Sequence, residues 1–196
     1  MKRIVCIGDS NTFGYDPRDI FGGRYPAERR WTGLLGQAGW EVWNAGQNGR
    51  EIPNRDRAIQ ALLRELERAG TPDWVTVMLG SNDLLQGFDR SAEDVAERME
   101  RFLRRLRPRF SAAHMLLIAP PPMTPGAWVG EPRLLLESAR LGPCYAALAE
   151  RLGIGFVDAR TWGVELSFDG VHFSEQGHAA FAAGLLRALA EDAPAE

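Results

Sequence analysis

The residues of this chain equipped for chemistry are few: a Gly-Asp-Ser-Asn-Thr turn, an Asp-x-x-His pair and only 3 histidines. In "IVCIGDSNTFG" (residues 4–14) an apolar run breaks into acid and hydroxyls, so Ser10 stands just past a buried strand. Serine attack on a carbonyl needs a base within hydrogen-bond reach, an acid to orient that base, and donors for the developing oxyanion. His172 in "SFDGVHFSEQGH" is the best base, because Asp169 precedes it by three residues and Gly170 between them permits a tight turn. A carboxylate there favours one imidazole tautomer and stabilises the imidazolium during proton transfer. His114 opens a strand at the wrong edge of the sheet, and His178 lies near a helical pattern, as a surface or satisfied helix residue.

Capping competes with catalysis at several of these positions. Ser10, and likewise Asp169 and Ser174, are residue types that favour helix N-caps. A capping box built on Ser10 would want Glu or Gln three residues on, where Phe13 stands. The Gly-x-Ser-x-Gly elbow of α/β-hydrolases does not occur in the sequence, so a serine nucleophile here belongs to another solution. Two further segments supply donors: "NAGQNGR" (44–50), with its Asn48–Gly49 turn, and "LGSNDLL" (79–85), with the Asn82 amide. Asparagine also favours plain turns, so each segment is weak alone.

The elements that must position these residues alternate. Strands are expected at 3–7, 41–43, 74–79, 114–119 and 154–158, and helices at 31–38, 55–69, 92–106, 134–152 and 179–190. Such alternation implies a single α/β domain over 1–196, three-layered and flavodoxin-like, with a five-stranded parallel sheet. Ser10, the Asn48–Gly49 turn, Asn82 and the Asp169–His172 pair then all fall beyond strand carboxyl ends, where open α/β sheets bind ligands. The long loops 15–30 and 119–128 are expected to wall that crevice. The tail "EDAPAE" is expected to fray.

Composition excludes several partner classes. With 45% hydrophobic and 25% charged residues and a net charge of −3, the chain lacks the basic excess of a nucleic-acid binder. The arginines of "RFLRRLRPRF" (101–110) alternate with Val95, Met99, Phe102, Leu103 and Leu106 at helical spacing, which makes them a solvated face. Cys6 and Cys144 give neither a disulfide framework nor metal-ligand spacing. No segment approaches the ~20 apolar residues of a membrane span, and four apolar residues near the start fall short of a signal-peptide core. A cytoplasmic enzyme without metal or other cofactor is expected.

Taken in order, "GDSNTFG", "NAGQNGR", "GSND" and "DGVHF" resemble the four signature blocks of the GDSL esterases, or SGNH hydrolases, from Ile4 to the last helix. "RRWTGLL", "APPP" and "DGVHFSEQGH" look closest to the bacterial arylesterase and acyltransferase branch. The resemblance implies a serine esterase for short acyl groups, acting by hydrolysis or transfer on a small ester substrate. It implies Ser10 as nucleophile, His172 as base and then acid, and Asp169 as its orienting partner. The Ser10 N–H, the Gly49 N–H (Gly46 being the weaker candidate) and the Asn82 amide would form the oxyanion hole. Many members carry Leu or Ile where Asn11 stands; Asn11 either hydrogen-bonds beside the nucleophile, against substrate, or caps the following turn. Tyr15, Trp31 and Trp128 would narrow the acyl pocket, with buried core as the alternative. Homo-oligomers are common in that branch, and loop 16–30 is the candidate contact.

Three rival readings stand beside this one. A divalent-metal hydrolase would use Asp9, Asp83, Asp169 and His172, though no H-x-H, H-E-x-x-H or D-x-D spacing supports it. A flavodoxin-like binding module would cradle a phosphate in the first loop, where Asp9 repels it. A carbohydrate O-deacetylase would use the same scaffold.

Overall fold

The computed structural model describes residues 1–19 and 21–191; the tail expected to fray lies, beyond Glu191, outside them. In chain order the elements are β1 (Arg3–Gly8), α1 (Ser10–Phe13), α2 (Trp31–Gln37), β2 (Glu41–Gly46), α3 (Asp56–Leu66) and β3 (Trp74–Met78). There follow α4 (Ser81–Gln86), α5 (Ala92–Leu106), β4 (His114–Ala119), α6 (Pro132–Leu152), β5 (Gly155–Asp158) and α7 (Glu175–Glu191).

The strand pairings within the sheet are parallel and its order is β2-β1-β3-β4-β5. The strands read as continuous apolar runs because both faces are covered, as parallel sheets require. Successive side chains alternate between faces. Val5, Ile7, Val75, Val77 and Leu117 pack against α3, α5 and α6 through Leu62, Met99, Phe102, Leu141 and Leu148. Ile4, Cys6, Leu116 and Ile118 pack on the other side against α2 and α7, through Trp31, Leu35, Phe181 and Leu185. The expected three-layer architecture is what forms. Among the described residues no helix is long and apolar enough to cross a membrane.

This order places a topological switch between β1 and β3: the chain leaves β1 for β2 on one side and enters β3 on the other. Ligand crevices open at such points, beyond the strand carboxyl ends. Two short helices that the sequence pattern does not announce stand there, α1 after β1 and α4 after β3. Their 4 and 6 residues are too few to display a helical period. Other boundaries shift by one to four residues, two of them for a visible reason. Strand β2 continues to Gly46, because its register against β1 holds through Gly8. Helix α7 starts at Glu175, since Ser174 Oγ accepts the Gly177 N–H at 3.0 Å and caps it.

Candidate active site

Ser10 is the first residue of α1, where a helix leaves backbone N–H groups without intrahelical partners. The cap of that helix is not Ser10 but Asp9, whose carboxylate accepts the Asn11 N–H at 2.9 Å. Ser10 Oγ is thereby left free for the cleft, 2.9 Å from His172 Nε2. His172 Nδ1 lies 2.6 Å from Asp169 Oδ2. The other oxygen, Asp169 Oδ1, accepts the N–H groups of Val171 and His172, each at 2.9 Å. The turn is made possible by Gly170, at φ +80° and with Thr124 O only 2.1 Å from where a Cβ would stand.

The serine, the imidazole and the carboxylate are all buried, with Asp169 at 0% exposure. Burial alone would push the Asp169 carboxyl up; the hydrogen bonds it accepts from His172 and Val171 outweigh this and hold it below the usual carboxylate range. At Asp9 burial wins instead: despite the hydrogen bond it accepts from the Asn11 N–H, its carboxyl is pushed up to about 6. Loop 119–128 secures the Asp169–His172 turn from outside: Thr124 N–H donates to Gly170 O, Ala127 N–H to Phe168 O and Trp128 N–H to Asp169 O. The His172 ring lies between Tyr15 (centroids 4.7 Å apart) and the edge-on Trp128 (4.9 Å).

Above this group opens a cleft of about 540 Å³. Ser10, His172, Tyr15 and Trp128 line it together with Asn48, Gly49, Asn82 and Gln86. Of the expected site residues, Ser10, His172, Gly49, Asn82, Tyr15 and Trp128 thus line one cavity, with Asp169 buried behind His172, while Asn11 and Trp31 lie outside the lining. Gly49 sits at φ +70°, a conformation that glycine adopts without steric cost. Gly46 is not available as a donor, because its N–H is bound by Asn44 Oδ1 at 2.9 Å.

Asn11, expected beside the nucleophile and against substrate or as a cap, is buried outside the cleft lining, and both ends of its amide are engaged. Nδ2 donates to Val171 O at 3.1 Å, and Oδ1 accepts the Phe173 N–H at 2.8 Å. It therefore ties the helix that carries Ser10 to the segment that carries His172. Trp31 likewise belongs to the core: it is 1% exposed and donates its indole N–H to Asn11 O. His178 is neither a surface residue nor a satisfied one. It is fully buried, and its Nε2 finds no hydrogen-bond partner among the described residues.

Asp9 and Asp83 do not converge with Asp169 and His172 as the metal reading would need. Asp83 Oδ1 accepts from Arg98 Nε at 2.7 Å and Oδ2 from the Ile52 N–H at 2.9 Å. Among the described residues no group of three or more His, Cys, Asp or Glu is arranged to hold a metal ion.

Residues 6–180 match the model of the GDSL-like Lipase/Acylhydrolase family. The chain belongs to this family. Two solved structures resemble it over nearly its whole length. The M. smegmatis aryl esterase is 27% identical with a TM-score of 0.82, covering 97% of this chain and 99% of that one. A carbohydrate acetylesterase family member from Sinorhizobium meliloti is 29% identical with a TM-score of 0.84, covering 97% and 98%. An acetylxylan esterase of Xylanibacter ruminicola is 25% identical over 200 residues, 89% of this chain. The chain spans 40% of that relative's length.

Proposed function

We propose that this GDSL-family chain is a cytoplasmic serine esterase that cleaves small carboxylic esters bearing short acyl groups. The observation that carries the reading is the relay Ser10 Oγ–His172 Nε2–Asp169 at 2.9 and 2.6 Å, set in an open cleft. His172 takes the Ser10 proton as Oγ attacks the carbonyl carbon. The oxyanion is received by the N–H groups of Ser10 and Gly49 and by the Asn82 amide. Collapse of the tetrahedral intermediate expels the alcohol, which leaves with the proton His172 gives back, and the acyl group stays on Ser10. Water, or a second alcohol in a transfer reaction, then attacks this ester with His172 again as base. Asp169 keeps Nδ1 protonated and the ring aimed throughout.

Tyr15, Leu85 and Trp128 supply the apolar wall that favours a short acyl chain. A second reading, carbohydrate O-deacetylation, is favoured by the 52% exposure of Trp128 at the mouth, beside the Asn48 and Gln86 amides. A stacking ring flanked by planar amides suits a sugar as well as an aryl group. The phosphate-cradle alternative is disfavoured because the start of α1 is already occupied by the Asp9 carboxylate.

The test is hydrolysis of p-nitrophenyl esters from acetate to octanoate, with acetylated sugars alongside, by wild type and Ser10→Ala. Turnover that falls with acyl length and is lost in the variant at unchanged folding supports the reading. Acetylated sugars outrunning the aryl acetate would select the second reading. Activity surviving in Ser10→Ala would refute both.

A further inference from the structure

The oxyanion hole of the reading above is assembled from pieces far apart in sequence: Gly49, on the irregular segment 47–54, and Asn82, on α4. Electrostatic stabilisation of an oxyanion depends on donors held at ~2.7–3.1 Å, and a shift of about 1 Å can cost ~10²-fold in rate. Segment 47–54 has no ladder or helix of its own to supply that rigidity. Two backbone bonds, Gln47 N–H to Gly8 O and Arg50 N–H to Gln47 O at 3.2 Å each, close its first turn, and side chains supply the rest.

Two residues of α4 reach it. Gln86, four positions after Asn82 and so on the same helical face, donates from Nε2 to the Gly49 carbonyl at 3.1 Å. The same nitrogen lies 3.5 Å from Asn82 Oδ1, between the two halves of the hole. One helical turn away, the fully buried Asp83 accepts the Ile52 N–H at 2.9 Å. Arg98 from α5 completes this second attachment: Nε binds Asp83 Oδ1 at 2.7 Å, and a terminal nitrogen reaches Ile52 O at 3.3 Å and Glu51 at 3.1 Å.

We propose that Gln86 and the Asp83–Arg98 pair are positioning residues for the oxyanion hole, holding the Gly49 segment against the helix that carries Asn82. This rests on the serine esterase reading. Gln86 grips the donor-bearing residue itself, whereas Asp83 and Arg98 grip the same segment three residues further along. Neither grip touches Ser10 or His172, so their loss spares the nucleophile and base and loosens only what receives the negative charge. The apolar wall of Tyr15, Leu85 and Trp128, which binds a short acyl ester in the ground state, is spared as well.

The test compares wild type, Gln86→Met, Gln86→Glu, Asp83→Asn and Ser10→Ala on p-nitrophenyl acetate, with kcat normalised to the fraction of sites titrated by a phosphonate. Affinity for a short alkyl boronic acid, a mimic of the tetrahedral state, is measured in parallel. Gln86→Met is expected to lower kcat about 10-fold at unchanged KM and melting temperature, with boronate affinity falling by a similar factor. Gln86→Glu, which puts a carboxylate beside the hole, should fall further. Asp83→Asn should show the same signature more strongly, and if it fails to fold the exposed Gln86 decides alone. Gln86→Met with kcat and boronate affinity both within twofold of wild type, while Ser10→Ala is dead, overturns the proposal and leaves the esterase reading standing. Full activity in Ser10→Ala overturns the reading and this proposal with it.

Discussion

His172 and His178 lie six residues apart in sequence, and both are buried, at 3% and 0% exposure. Around His172 each ring nitrogen has a polar partner, Asp169 on one side and Ser10 on the other. Around His178 there is a long contact from the Trp31 N–H at 3.5 Å, two aromatic edges from Tyr25 and Phe173, and nothing for Nε2 among the described residues. Burial, first of all, and then the nearby charges of Arg30 and His172 push the His178 pKa down to about 3. One imidazole is therefore equipped to carry a proton between partners, and the other is kept neutral as a core residue. Burial alone makes neither a catalytic histidine nor an inert one; what decides is whether a carboxylate shares the burial.

The contrast can be broken most sharply at His172. His172→Ala is expected to reduce kcat on p-nitrophenyl acetate by about 10⁴–10⁶-fold, as loss of a base from a working triad does. The protein should keep its melting temperature within a few degrees, and a stopped assay with a well-folded variant is the check. Asp169→Asn should follow at about 10⁴-fold, since an amide can stabilise the wrong tautomer. Its effect on folding should add a second sign. The carboxyl is held below its ordinary range, so its contribution is present above about pH 4 and lost as pH falls through the folded pKa. Asn82→Ala removes one oxyanion donor and should cost about 10²–10³-fold in kcat with KM little changed.

Much of this site was legible in the sequence, and the parts that were not have physical reasons. The Asp169–His172 contact is local, three residues apart across a glycine, so spacing alone exposes it. Strand ends mark the sheet edge, which brings Ser10, Gly49 and Asn82 together once the parallel order is known. The partners of Asn11 are not legible in the sequence, because they are Val171 and Phe173, 160 and 162 residues away. No local pattern records such a pairing. The same holds for Asp83 with Arg98 and Ile52, and for Gln86 with Gly49. His178 reads as a surface or satisfied helix residue while the apolar period is taken to start at residue 179. The helix in fact begins at its Ser174 cap, which turns His178 inward toward Trp31.

The smallest expected effect is at His178. His178→Met should leave kcat within about threefold of wild type, because the residue touches no reacting group. Its signature lies in stability against pH. An imidazole neutral in the folded chain down to about pH 3, but protonated near its ordinary 6.5 once unfolded, binds more protons in the unfolded state. Wild-type stability therefore falls through this residue as pH drops below about 6.5. Asp9 works the other way: its buried carboxyl, pushed up to about 6, takes a proton first in the folded chain and gains stability as pH falls. Removing His178 should leave the Asp9 trend exposed. Denaturant unfolding of His178→Met should show a gain relative to wild type of about 1.4 kcal/mol per pH unit below pH 6 or so.

The most direct measurement on the central claim is covalent. Wild type and Ser10→Ala are mixed with p-nitrophenyl acetate, quenched in acid during turnover, digested, and their peptides weighed. The expected result is one acetyl group on the peptide carrying Ser10 in wild type, none in the variant, and p-nitrophenol release lost with it. An acetyl group on another residue, or undiminished release by Ser10→Ala, would contradict the nucleophile assigned to Ser10.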